Sequence, residues 1–81
     1  MKLLFTASAE HDLAILDRET QKRIVNALDK LLSTPTTVDL KKMQGRPARW
    51  RLRVGDYRVI FSIEKATIQI LKVGHRKNIY D

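Results

Sequence analysis

Residues 49–61 have the sequence Arg-Trp-Arg-Leu-Arg-Val-Gly-Asp-Tyr-Arg-Val-Ile-Phe. Basic and apolar side chains alternate strictly from Arg49 to Val54, which is typical of a strand with one buried and one solvated face. A second run rich in β-branched and aromatic residues, Tyr57 to Ile63, follows directly after Gly55-Asp56. The pattern therefore predicts a β-hairpin with a two-residue turn.

The turn fixes the register of this hairpin. With glycine at the first central position, as a type II′ turn prefers, Val54 pairs with Tyr57 and Arg53 lies directly opposite Arg58. One face then carries the basic side chains Arg49, Arg51, Arg53 and Arg58. The other face is apolar, and we expect helices to cover it: Trp50, Leu52, Val54, Tyr57, Val59, Phe61 and Ile63. A three-residue turn would instead move Arg58 to the apolar face.

The basic face of the hairpin predicts an anionic ligand. Like charges directly across a strand pair destabilise a fold by some tenths of a kcal/mol, so stability alone does not explain Arg53 opposite Arg58. The planar fork of arginine suits phosphate oxygens, and its charge persists near neutral pH. The alternative interpretation is a solvated strand face that happens to be rich in arginine.

Helical periodicity precedes the hairpin. Residues 2–5 form a short apolar run that we interpret as a strand, with Thr6 or Ser8 as the N-cap of a first helix. Thr20 is able to cap a second helix, which ends before Pro35 because proline disfavours helical geometry in the residue ahead of it. The apolar positions of the two helices are Ala9, Leu13 and Leu16, then Ile24, Ala27, Leu28, Leu31 and Leu32.

The rest of the chain completes an α+β domain. Residues 33–47 contain both prolines and read as a connecting loop, and Thr67 to Val73 reads as a last strand. The predicted order is β-α-α-β-β-β, with the helix hairpin packed on one face of an antiparallel sheet. A length of 81 residues fits a single domain spanning residues 1–81.

Charge and composition narrow the function. The net charge is +7, and residues 41–81 hold eleven basic and three acidic side chains, against five and six in residues 1–40. Such an imbalance favours a polyanion or an acidic protein as partner. The absence of cysteine and the presence of only two histidines argue against a metal site, and no cofactor is expected. With no apolar run long enough to cross a bilayer, we expect a cytoplasmic protein without membrane contact.

The C-terminal segment supplies titratable and aromatic groups. Gly74 is expected to permit a turn that swings His75 and Arg76 back beside the basic face. His75 can donate and accept protons near pH 7, and Tyr80 can hydrogen-bond to a base or stack on it. His11, on the polar side of the first helix, is interpreted as structural or exposed.

Taken in order, these motifs resemble the RelE branch of the RelE/ParE toxins over almost the whole chain. The likeness rests on Phe5-Thr6-x-Ser8-Ala9, Leu31-Leu32-x-x-Pro35, Leu40-Lys41-Lys42-Met43-Gln44-Gly45, the hairpin from Trp50 to Phe61, and Val73-Gly74-His75-Arg76-x-x-Ile79-Tyr80. It implies a type II toxin that cuts mRNA in the ribosomal A site without a metal, the ribose 2′-hydroxyl attacking the adjacent phosphate.

The resemblance also implies which residues act. The residues implied as catalytic are Arg51, Arg53, Arg58, Arg76 and Tyr80, and we add His75 because lysines are usual where this chain has Arg51 and Arg53. Arginine practically cannot act as a base, so His75 is expected to be general base or general acid. Six further basic residues are expected to bind RNA: Lys41, Lys42, Arg46, Arg49, Lys72 and Lys77.

Partners and rival functions follow from the same likeness. The expected partners are the ribosome with its mRNA and a cognate RelB-like antitoxin whose acidic segment wraps the basic surface. Operator DNA would be contacted only through the antitoxin. The rivals are a ParE-like toxin that inhibits DNA gyrase and a non-catalytic RNA-binding module that uses the arginines only for phosphate contacts.

Overall fold

A computed structural model describes residues 1–45 and 48–79 of the chain, so Arg46, Pro47, Tyr80 and Asp81 lie outside the described residues. Two helices and five strands are present in these ranges. In chain order they are β1 (Lys2–Phe5), α1 (Ala7–Ala14), α2 (Arg18–Ser33), a 3₁₀ turn (Pro35–Thr37), β2 (Asp39–Met43), β3 (Arg49–Val54), β4 (Tyr57–Glu64) and β5 (Thr67–His75).

Both helices begin at a capping side chain. Thr6 Oγ1 accepts a hydrogen bond from the Ala9 backbone N–H at 3.1 Å, which confirms Thr6 as the cap of α1. The prediction that Thr20 caps α2 is wrong. Asp17 holds that position and accepts from the Thr20 N–H at 3.3 Å. Hydrogen bonds from the side chain and the backbone of Thr20 lower the pKa of Asp17. Asp17 is the cap because it directly precedes the first helical residue, Arg18, whereas Thr20 already lies within the first turn of α2.

The described strands form one sheet of mixed direction, in the order β1-β5-β4-β3-β2. The α+β class is confirmed, and β3, β4 and β5 pair antiparallel as expected. Two details of the predicted sheet are wrong: β1 runs parallel to β5, and residues 39–43 of the predicted loop form the edge strand β2. The sequence of β2, Asp-Leu-Lys-Lys-Met, shows little strand periodicity, so its strand conformation depends on hydrogen bonding to β3.

The helices cover one face of the sheet, which we call the helix face. Its core is formed by fully or almost fully buried apolar side chains: Ala9, Ile24, Leu28, Leu52, Val59, Phe61, Ile68 and Ile70. Trp50, Val54 and Tyr57 are half-buried against this core, as the alternation predicts. Ile63 lies at the margin and is 44 % exposed, so the apolar face is less completely covered than expected.

The hairpin register confirms the predicted arrangement of the arginines. Val54 pairs with Tyr57 and Arg53 with Arg58 across the two-residue turn, and Gly55 has a φ of +60°. We call the opposite face of the sheet, which carries Arg49, Arg51, Arg53 and Arg58, the arginine face. No helix of the described ranges is both long and apolar enough to span a bilayer.

Replacing Gly55 tests the turn. Gly55→Ala is expected to lower the free energy of unfolding by about 1–2 kcal/mol, because a Cβ is strained at positive φ. A Cβ at this position would also lie 2.7 Å from Arg23 Nη2, but that atom ends a flexible side chain and can move. Gly55→Asn is the control, since asparagine tolerates positive φ. Urea unfolding should show a smaller loss for Asn than for Ala, and equal losses would mean that the contact with Arg23 dominates.

Candidate active site

Four guanidinium groups come together at the hairpin end of the arginine face. Arg53 lies directly opposite Arg58, Arg51 is two residues earlier on the same face of β3, and Arg76 follows the end of β5. Burial lowers the pKa of Arg58, and the positive charges of Arg53, Arg51 and Arg76 lower it further. We call these four residues the arginine cluster. Since arginine stays protonated at neutral pH, the cluster is a fixed concentration of positive charge.

Hydrogen bonds and two ion pairs orient the cluster. Arg58 Nη1 donates to the carbonyl oxygens of Gly55 and Tyr57, each at 3.0 Å. Arg53 Nε lies 2.7 Å from Asp39 Oδ2, across the β2–β3 pair. These ion-paired side chains are more than half exposed, so the pair adds little stability and serves mainly to direct the guanidinium group.

Arg76 is tied to the hairpin turn. Its backbone N–H donates to the Asp56 carbonyl oxygen at 2.7 Å, and its Nε lies 3.7 Å from Asp56 Oδ1. These contacts bring the segment after β5 against the β3–β4 turn. The prediction that Arg76 lies beside the other arginines is therefore confirmed.

An apolar floor lies beneath the cluster. Ile60 is on the arginine face, paired with Arg51, and is 4 % exposed. Gly74 pairs with Arg58, and a Cβ added to Gly74 would lie 3.0 Å from Cγ1 of the buried Ile79. The missing side chain of Gly74 thus leaves room for Ile79 next to the stretch of β5 that pairs with Arg58. Charges above such a floor interact more strongly with a ligand than charges in open water.

The prediction that His75 lies beside the arginines is wrong. β5 continues through Gly74 without a turn, and His75 pairs with Tyr57 on the helix face. The two rings meet edge to face, with centroids 5.5 Å apart and an interplanar angle of 80°. His75 Nδ1 accepts a hydrogen bond from the Lys77 N–H at 3.2 Å, and the His75 carbonyl accepts from the Asn78 N–H at 2.8 Å. Its contacts therefore shape the turn that carries Arg76.

The remaining predicted RNA-binding residues divide between the faces. Lys41 pairs with Arg51 and Lys72 with Ile60, so both lie on the arginine face, where Arg49 occupies the far end opposite Ser62. Lys42 was expected to join them but points to the helix face, its Nζ 5.8 Å from the Trp50 ring centroid. Lys77 is exposed in the turn after β5.

The predicted site residues Arg46 and Tyr80 lie outside the described residues. Within residues 1–45 and 48–79, no three histidine, aspartate or glutamate side chains are placed to hold a metal ion. The sequence pattern did not reveal Ile60, Ile79 or Asp39 as parts of the site. Ile60 had a visible signal, because it is an apolar residue at a position where the alternation predicts a solvated one.

Comparison with known proteins gives consistent matches. A family model described as the ParE toxin of the type II toxin-antitoxin system parDE matches residues 3–80. Toxin RelE3 of Methanocaldococcus jannaschii is 33 % identical over 85 residues, covering 100 % of this chain and 97 % of that protein. The RelB-RelE antitoxin-toxin complex from Methanococcus jannaschii matches with a TM-score of 0.80 and 31 % identity, over 95 % of this chain and 94 % of that one. The archaeal RelE-RelB complex from Pyrococcus horikoshii OT3 matches with a TM-score of 0.78 and 27 % identity, over 96 % and 97 % of the two chains.

Proposed function

Because this chain belongs to the RelE/ParE family of type II toxin-antitoxin toxins and is of the RelE type, we propose that it inhibits translation by cleaving mRNA in the ribosomal A site. The observation that carries the proposal is the arginine cluster, in which four guanidinium groups converge above an apolar floor. Such a surface binds phosphate and gains from excluding water.

The proposed reaction is a transesterification. The ribose 2′-oxygen forms a bond to the adjacent phosphorus, the bond from phosphorus to the 5′-oxygen breaks, and the products are a cyclic phosphate and a 5′-hydroxyl. One proton leaves the 2′-hydroxyl for solvent and one reaches the departing 5′-oxygen. Negative charge builds on the non-bridging oxygens during the attack, so fixed cations aimed at those oxygens lower the barrier.

The arginines have different proposed roles. We assign Arg58 and Arg76 to the non-bridging oxygens, because they flank the hairpin turn and are oriented by contacts to its backbone. Arg51 and Arg53 hold the flanking phosphates and bend the RNA toward in-line attack. Lys41, Lys72 and Arg49 extend the same face for neighbouring phosphates. Tyr80 is proposed to stack on a base or orient it.

We propose that His75 positions Arg76 through its hydrogen bonds in the turn after β5. We expect His75→Ala to slow cleavage by tenfold or less, because it removes the acceptor for the Lys77 N–H without removing a group that faces the cluster. A residue that transfers a proton would instead cost about 10²–10⁴-fold. The measurement is single-turnover cleavage on programmed ribosomes as a function of pH.

A matched variant separates the two roles of His75. In His75→Asn, the amide oxygen can accept the same hydrogen bond, whereas the variant cannot titrate near neutral pH. Nearly full activity with an unchanged pH–rate profile supports positioning. If both variants lose one limb of that profile, His75 takes part in proton transfer and the positioning role is wrong.

An antitoxin is the proposed protein partner. The matched Pyrococcus and Methanococcus structures are complexes of RelE with RelB. We propose a RelB-like antitoxin with an acidic segment that covers the arginine face of this chain and blocks ribosome entry, acting in the cytoplasm and contacting operator DNA through its own DNA-binding part. Co-expression of the neighbouring reading frame followed by purification tests the pairing, and recovery without a small acidic protein would count against it.

Mapping the 5′ ends of cellular mRNA after brief induction tests the cleavage itself. New 5′-hydroxyl ends within translated frames support the proposal. The family model is described by ParE, so gyrase inhibition is the second candidate, and plasmid supercoiling measured in the same cells distinguishes it. Salt-sensitive RNA binding without new ends would instead indicate an RNA-binding module.

A further inference from the structure

A second group of basic side chains projects from α2 on the other side of the hairpin turn. Arg23, Asn26 and Lys30 recur at spacings of three and four residues, which places them on one side of the helix. They line a groove of about 430 Å³ between α2 and the end of β3, whose lining also includes Leu52, Val54 and Arg53. None of the sequence motifs marked Arg23 or Lys30.

The charges of this groove are uncompensated. Neither the Arg23 guanidinium nor the Lys30 ammonium makes a hydrogen bond or an ion pair with any residue in the ranges 1–45 and 48–79. The carboxylate among the lining residues, Asp39, is already paired with Arg53 at 2.7 Å. An anion entering the groove therefore meets two free cations.

The groove adjoins the arginine cluster through Gly55. Arg23 Nη2 would lie 2.7 Å from a Cβ at Gly55, and Arg58 Nη1 lies 3.0 Å from the Gly55 carbonyl oxygen. With ordinary backbone dimensions, these two nitrogens are less than about 10 Å apart. Glycine at this position leaves the space that the Arg23 side chain occupies. A single RNA strand bound at Arg58 can therefore reach Arg23.

We propose that the groove binds a backbone phosphate of the RNA, with Arg23 as its main contact and Lys30 as a second. This inference rests on the proposed RNA substrate and adds a contact outside the arginine face. Continuity with the cluster favours RNA over an acidic peptide, since one strand then contacts both groups of cations. The guanidinium fork of Arg23 suits a phosphate better than the ammonium of Lys30 does.

The test measures binding separately from cleavage. The probe is a fluorescent single-stranded RNA in which every 2′-hydroxyl is methylated, so that the attacking group is blocked. Each lost phosphate contact reduces the slope of log affinity against log salt by about 0.7 for a single strand. We expect Arg23→Ala to reduce the slope by about that amount, Lys30→Ala to reduce it less, and Arg23→Lys to keep the slope while weakening binding.

Two exposed residues of the same helix are the controls. Arg18→Ala and Lys22→Ala remove the same charge from α2 but do not line the groove, so the slope should stay unchanged. Equal slopes for Arg23→Ala and Arg18→Ala overturn the inference, as does failure of the parent protein to bind the probe. If Arg23→Ala binds the RNA probe as well as the parent protein does but no longer binds an acidic antitoxin peptide, the groove is a protein-binding site and the inference is wrong.

Cleavage on ribosomes is scored in parallel. If the parent binds the probe through Arg23 but produces no new 5′ ends, the proposed nuclease function fails while the phosphate site stands. If the parent protein cleaves mRNA but Arg23→Ala has the same salt slope of RNA binding as the parent, only the proposed phosphate site is wrong.

Discussion

We expect Arg58→Ala to lower the rate of mRNA cleavage on programmed ribosomes by about 10²–10³-fold, the usual cost of removing one preorganised donor to a developing oxyanion. Arg58 is the member of the cluster whose pKa is lowered by burial and by three neighbouring arginines. It is also held by hydrogen bonds to two carbonyl oxygens of the turn, so its position is set before the substrate arrives.

The loss should fall on the chemical step. Because Arg58 is proposed to face the charge that develops during attack, kcat is expected to drop more than substrate affinity. Arg58→Lys keeps the charge but not the bidentate fork and should recover part of the activity. Single-turnover rates at saturating ribosome concentration measure the effect.

Arg49→Ala is the matched control. Arg49 lies on the same face of β3 but at its far end, opposite Ser62, and its removal should slow cleavage by less than about tenfold, as expected for a lost flanking contact that does not touch the reacting phosphate. Equal losses for Arg49→Ala and Arg58→Ala would mean that the face acts only through its total charge. Stability should change little in Arg58→Ala, because the lost hydrogen bonds are offset by relief of the repulsion from Arg53.

The hairpin was predictable because every local signal agreed. Alternation set the faces of β3 and β4, and a glycine followed by aspartate between them set a two-residue turn, so the pairing of Arg53 with Arg58 followed from the sequence. β2 was not predictable in this way. Its strand conformation depends on pairing with β3, and its own residues carry no clear period.

His75 shows where sequence reasoning reached its limit. A glycine suggests a turn, but strand pairing with Tyr57 carries β5 one residue past Gly74, and that single residue decides the face on which His75 lies. Gly74 instead provides space for Ile79, five residues further along the chain, a contact that strand alternation does not encode. Arg76 was placed correctly because the turn after β5 is anchored to Asp56.

The largest effect on stability is expected at Phe61. Phe61→Ala should lower the free energy of unfolding by about 3–5 kcal/mol, the usual cost of removing a buried aromatic side chain from a packed core. Phe61 is fully buried between the sheet and the helices, next to Leu52, Val59 and Ile70 in the core. Urea unfolding followed by circular dichroism measures the change.

Ile63→Ala is the control for this position. Alternation places Ile63 on the same face of β4 as Phe61, but its side chain is 44 % exposed, so we expect a loss below about 1.5 kcal/mol. Similar losses for the two variants would show that coverage by the helices does not set the stability of the sheet.

In a domain of this size, the loss expected for Phe61→Ala is a large part of the total free energy of unfolding. A chain of 81 residues has a free energy of unfolding of about 4–12 kcal/mol, and at the lower end of that range Phe61→Ala makes the folded and unfolded states of the isolated protein about equally populated. A partner that binds only the folded state adds about 2.7 kcal/mol at a concentration 100 times its Kd. Soluble Phe61→Ala protein should therefore be recovered with co-expressed antitoxin and lost without it. Loss of the variant in both cases would mean that the antitoxin does not bind the folded sheet as proposed.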